Sequence, residues 1–131
     1  MTRVVFLVVL SVAALLGAGC GRAADSADPL RIEWTMSPAA PAVDQPTDVE
    51  LVLRHPDGAA ILDADLDLEG HMTHPGMAPV VADLVAAGDG TYRTRLTFTM
   101  AGDWVLLVRG RLADGAAVRR EAGRMVVRSG G

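Results

Sequence analysis

Two histidines and two methionines fall within the seven residues His71-Met72-Thr73-His74-Pro75-Gly76-Met77, in a chain with three histidines and six methionines in all. Imidazole is a good ligand for copper, zinc, iron and nickel, whereas a thioether is soft and favours Cu(I). Thiolates also bind copper but oxidise readily outside the cytoplasm, so a mixed His/Met set is the chemistry expected of an extracytoplasmic copper site. The candidate ligands are His71 and His74, with Met77, Met72 and Met100 as thioether donors. Pro75-Gly76 forces a turn that can carry Met77 back toward the two histidines. A ligating histidine needs a partner for its other ring nitrogen. Glu69 and Asp103 are the carboxylates closest to the candidate ligands in sequence.

The same residues have a purely structural reading. Methionine fills irregular gaps at the end of a core, and Met100 continues the apolar face of Leu96 and Phe98. His74-Pro75-Gly76 can be a turn whose ring bonds to backbone. His55 stands in a separate turn, His55-Pro56-Asp57-Gly58, without a soft neighbour, and is left out of the ligand set.

The elements that would position these residues are strands. Arg31 to Met36 alternates, with Ile32, Trp34 and Met36 on one face, and Asp48 to Arg54 does the same with Val49, Leu51 and Leu53. Between them Pro38, Pro41 and Pro46 exclude a central strand. Asp63 to Glu69 sets Leu62, Ala64, Leu66 and Leu68 inward and turns Asp63, Asp65, Asp67 and Glu69 toward solvent, a period of two that no helix gives. Val80 to Ala87 suits either a strand or a short helical turn. Thr91 to Met100, Trp104 to Arg109 and Arg119 to Arg128 complete the series, with Asp57-Gly58, Asp89-Gly90 and Asp114-Gly115 as turns. About seven short strands without intervening helices predict an all-β, immunoglobulin-like β-sandwich.

The N-terminus carries a different signal. Arg3 precedes an apolar run from Val4 to Leu16, and the small residues Gly17, Ala18 and Gly19 follow. Residues 1–19 thus read as a secretory signal peptide, the run being short for a committed membrane span. Cys20 is the only cysteine, which excludes an internal disulfide. Leu15-Leu16-Gly17-Ala18-Gly19-Cys20 resembles the lipobox of bacterial lipoproteins, with Gly17 where leucine is usual. Cys20 is therefore the expected lipidation site, and simple cleavage and release is the alternative. Residues 20–29 make a tether, and residues 30–131 supply one domain.

Several functions are disfavoured. The net charge is −4, there is no lysine, and the arginines form no stripe with interleaved aromatics, so no nucleic-acid partner is expected. The aspartates of 63–67 lie on one wet strand face, and no serine occupies a strand–turn–helix nucleophile setting, so no enzyme is expected.

Taken together, His71-Met72-Thr73-His74-Pro75-Gly76-Met77, Gly90-Thr91-Tyr92 and Leu96-Thr97-Phe98-Thr99-Met100-Ala101-Gly102-Asp103-Trp104 resemble the YtkA-like family. The pattern is also similar to the extracytoplasmic domain of FixH/CcoH-type proteins. The resemblance spans roughly Leu30 to Val127. It implies a small immunoglobulin-like sandwich held by a lipid or membrane segment, and a part in copper handling and the assembly of copper enzymes at a membrane. The expectation is a lipid-anchored, periplasmic or otherwise extracytoplasmic copper-binding accessory protein or chaperone. The alternative is a metal-free interaction module that holds a protein partner.

Overall fold

The computed structural model describes residues 30–130. The signal peptide, Cys20 and the tether expected at the N-terminus lie outside them. Seven strands follow in chain order: β1 (Arg31–Ser37), β2 (Pro46–Arg54), β3 (Asp65–Met72), β4 (Val80–Gly88), β5 (Thr91–Thr97), β6 (Gly102–Arg111) and β7 (Ala117–Val127). All neighbouring pairs are antiparallel, in the order β1-β2-β5-β4-β3-β6-β7.

The architecture is all-β and immunoglobulin-like in general terms, but the strands form one nearly closed sheet. The strand responsible is β4. Val80 to Leu84 pairs with β3, and Val85 to Gly88 pairs with β5, with a register shift between Ala86 and Gly88. Its ambiguity in the sequence is thereby settled as strand. Its outward valines and short alanine run weaken the usual alternation, which is why the pattern alone read both ways.

Inward residues from every strand meet in one core, including Leu51, Leu53, Leu68, Tyr92, Leu106 and Val108, each no more than 1% exposed. Phe98 and Trp104 pack edge to face, with ring centroids 5.1 Å apart. Gly70 makes room for them: a Cβ there would stand 2.8 Å from Val80 Cγ2 and 3.3 Å from Phe98. The seam between β1 and β7 is closed differently. The Trp34 ring lies over Gly123, where a Cβ would collide with it, and Ala42 and Arg128 form a short parallel bridge.

Three local expectations are corrected. The alternation of β3 begins at Asp65, not Asp63, and Leu62 is 54% exposed rather than inward. Asp63 adopts a left-handed backbone (φ 53°), and the Tyr92 hydroxyl donates to Ile61 O (2.9 Å) and accepts from Ala64 N–H (3.3 Å). That clamp shifts the phase of the chain ahead of the strand. Next, β5 stops at Thr97. Phe98 O accepts Asp44 N–H and Met100 O accepts the Trp104 indole N–H, so the segment turns away from the ladder and Met100 is 44% exposed. Finally, Glu69 lies on the outer face as expected but is buried.

Leu30 enters the fold beside Arg54 and the 55–64 loop, at one end of the molecule. The 38–45, 73–79 and 98–101 loops and the end of β7 lie at the other end.

Candidate metal centre

Strand geometry sorts the candidate ligands before any contact is considered. Successive residues of β3 point to opposite faces. Asp65, Asp67, Glu69 and His71 project outward, whereas Leu66, Leu68 and Met72 project inward. His71 and Met72 are therefore neighbours in sequence that face apart. Met72 packs partly buried against the core, its methyl close enough to Gly102 that a Cβ there would lie 3.1 Å away.

Glu69 and His71, two residues apart on one face, are in direct contact. His71 Nε2 lies 2.8 Å from Glu69 Oε2, and Arg109 Nη1 donates to Glu69 Oε1 at 3.1 Å. Arg109 comes from β6, where it pairs in register with Asp67. The Glu69 carboxylate is thus engaged on both oxygens. The hydrogen bond from His71, with the weaker help of Arg109, holds its pKa below the ordinary glutamate value against the opposing effect of burial. Of the two carboxylates proposed from sequence, Glu69 is the one that meets a candidate ligand. Asp103 instead contributes its backbone oxygen, which accepts Thr73 N–H at 3.1 Å.

After Met72 the chain leaves the sheet. Gly76 has φ +82°, a conformation that suits glycine after Pro75. His74 and Met77 are exposed on this loop, Met77 at 40%. The Thr73–Asp103 bond ties the loop to the start of β6, and the Trp104–Met100 bond ties the 98–101 segment to the same place. His71, His74, Met72, Met77 and Met100 accordingly share one end of the domain. Among the described residues, no three His, Cys, Asp or Glu side chains converge as a cluster able to hold a metal ion. His55 lies at the opposite end, where its backbone bonds Ala59 and Gly58.

Other features frame this end. A hollow of about 350 Å³ lies beside it, lined by Thr73, Asp103, Trp104, Arg124, Met125 and Val126. Further along the outer face Asp67 sits directly opposite Asp83, and burial followed by the hydrogen bond and charge of Asp83 raises its pKa. A larger cleft of about 510 Å³ crosses the other outer face, walled by the pairs Arg93–Glu50 (2.8 Å) and Arg95–Asp48 (2.6 Å), and it holds no histidine. The role of Arg109 escaped the sequence reading because it depends on cross-strand register. The Glu-x-His spacing, by contrast, marks two residues on one strand face.

The profile described as YtkA-like matches residues 25–109, more than half of the chain, and includes the His/Met block and Gly102-Asp103-Trp104. The chain belongs to the YtkA-like family. This assignment agrees with the resemblance seen in the sequence. Two solved structures share the fold. The Lin-41 filamin domain is 16% identical with a TM-score of 0.53, over 74% of this chain and 93% of that one. The Escherichia coli adhesin FdeC is 15% identical with a TM-score of 0.54, over 76% of this chain and 32% of that one. The YtkA-like chain thus spans about a third of the adhesin. No curated protein sequence matches. Its family places the chain among non-enzymatic proteins. Among the described residues no helix is long and apolar enough to cross a membrane.

Proposed function

We propose that this YtkA-like protein is an extracytoplasmic accessory protein that binds copper at the loop end of its domain. It would be held at a bacterial membrane by a lipid on Cys20 and serve a membrane-bound partner. His71 and His74 would supply imidazole, and Met77 and Met100 thioether; Met72 would have to turn out of the core to take part. Such a donor set suits Cu(I), which soft sulfur ligands favour. The observation that carries the reading is the Glu69–His71 contact, a carboxylate-buttressed imidazole beside a loop of accessible soft donors.

The test is an anaerobic Cu(I) titration of residues 21–131, which lack the Cys20 thiol, against a competing chelator, alongside the double variant His71→Ala, His74→Ala. One tight equivalent, lost in a variant that still folds, is the expected result. No competition by the wild type would defeat the copper reading. A metal-free interaction module would then lead, and the exposure of Val81 and Val85 on β4 favours that second reading. It expects partner capture to be indifferent to chelators and to the two histidine substitutions.

A further inference from the structure

We infer that Glu69, itself anchored by Arg109, is a positioning residue that fixes His71 as the Nε2–H tautomer, so that His71 offers a metal only its Nδ1 nitrogen. The inference rests on the copper reading for the identity of the metal, but its first step concerns the protein alone.

The argument begins with what each atom can do. An ionised carboxylate is an acceptor on both oxygens and a donor on neither. Glu69 Oε1 accepts from Arg109 Nη1, which always carries its protons, and Glu69 Oε2 faces His71 Nε2 at 2.8 Å. Two acceptors cannot hold that distance, so Nε2 carries the hydrogen. In neutral imidazole the lone pair then resides on Nδ1. With both oxygens engaged and its side chain only 11% exposed, Glu69 is poorly placed to ligate and well placed to orient. His71 is 35% exposed, so its ring is reachable from solvent.

The arrangement has a consequence for affinity. A buttressing carboxylate makes imidazole more basic and restricts its rotation, and losing such a partner typically lowers metal affinity about 10–100-fold. Arg109 acts one step further out: it neutralises Glu69 without reaching the ring, and its own side chain is 61% exposed. A smaller effect is expected there.

The experiment is nuclear magnetic resonance of the domain, residues 21–131, labelled with 15N in histidine. Long-range proton–nitrogen correlations of the metal-free protein at pH 8 read the tautomer directly. The expected result is a protonated Nε2 and an unprotonated Nδ1 for His71, with addition of Cu(I) moving Nδ1. In Glu69→Gln the tautomer preference should weaken and Cu(I) affinity fall about 10–100-fold. A metal-free wild type with the hydrogen on Nδ1 overturns the inference, whatever the variant does. Tight Cu(I) binding that moves Nε2, or leaves both His71 nitrogens unmoved, overturns it while sparing the copper reading. Absence of Cu(I) binding defeats the copper reading and the metal-facing half of this inference together, even with the tautomer as expected. The wild-type measurement decides the matter even if Glu69→Gln fails to fold.

Discussion

Glu69 and His71 stand two residues apart on the outer face of β3, their side chains joined at 2.8 Å, and Glu69 is the more buried of the two. A carboxylate held this way is stabilised in its charged form by the fold. Its folded pKa lies below the ordinary value of 4.5. Its contribution to stability is therefore complete above the unfolded pKa and lost as pH falls through the lower, folded one. Glu69→Gln is expected to destabilise the domain by about 1–3 kcal/mol at pH 7, since Arg109 and His71 are too exposed for the larger cost of breaking a fully buried pair. Urea unfolding of both proteins from pH 7 to pH 3 checks this. The gap between them should narrow as the pH drops below 4.5, and a constant gap would show that the charge of Glu69 is not what matters.

Asp67 and Asp83 carry the opposite sign. They face each other across β3 and β4, and the folded pKa of Asp67 is raised above 3.8, chiefly by desolvation and then by Asp83. The fold thus favours a protonated Asp67, so its ionisation costs stability above the folded pKa and costs nothing below the unfolded one. Asp83→Asn should stabilise the domain at pH 7 by about 0.5 kcal/mol, the scale of a like-charge cross-strand pair. Thermal unfolding should show the advantage fading in acid. Destabilisation at neutral pH would mean that Asp83 makes contacts worth more than the repulsion.

Much of this was legible in the sequence, and the exceptions have physical causes. Period-two alternation found β1, β2 and most of β3 because each has one face in the core. It misjudged Leu62 because a left-handed Asp63 and the Tyr92 clamp set the chain ahead of β3, neither of which alternation registers. Met100 looked like core as a continuation of Leu96 and Phe98, but the Trp104 indole draws its carbonyl out of the ladder. Glu69 was offered as a partner of His71 only from its nearness in sequence; the two share a face because β3 runs on to Met72, past the Glu69 at which the alternation was read to stop. Arg109 was not, because forty residues of chain separate it from Glu69 and only strand register brings them together.

Trp34 and Gly123 form the closure between β1 and β7. Gly123→Ala would drive a methyl into the indole, forcing the ring to move. Overpacking of this kind typically costs about 1–3 kcal/mol, and Trp34 fluorescence should shift to the red as the ring gains solvent. Because both residues occupy one contact, Trp34→Ala should absorb much of the effect of Gly123→Ala in the double variant. Strict additivity in a denaturation series would argue that the ring and the glycine do not share that contact.

The thioethers should separate by chemistry as they do by position. Met77 and Met100 are 40% and 44% exposed, while Met72 packs against the core. Dilute peroxide should convert Met77 and Met100 to sulfoxides well before Met72, as peptide mass spectrometry would resolve. Met72→Leu, a volume-conserving change, should cost less than about 1.5 kcal/mol and leave Cu(I) affinity unchanged, whereas Met77→Leu should weaken it. Loss of Cu(I) binding in Met72→Leu with an intact fold would return Met72 to the ligand set.

The polypeptide joins the domain at Leu30, and the His/Met loop crowns the far end. The seven residues of β1 cover much of that distance, roughly 23 Å at the usual strand rise. The chain therefore enters the domain at the end opposite that loop. Were the domain held to a surface from its N-terminal side, the loop would face away from that surface. In that orientation the loop would meet a protruding partner more readily than one flush with the surface.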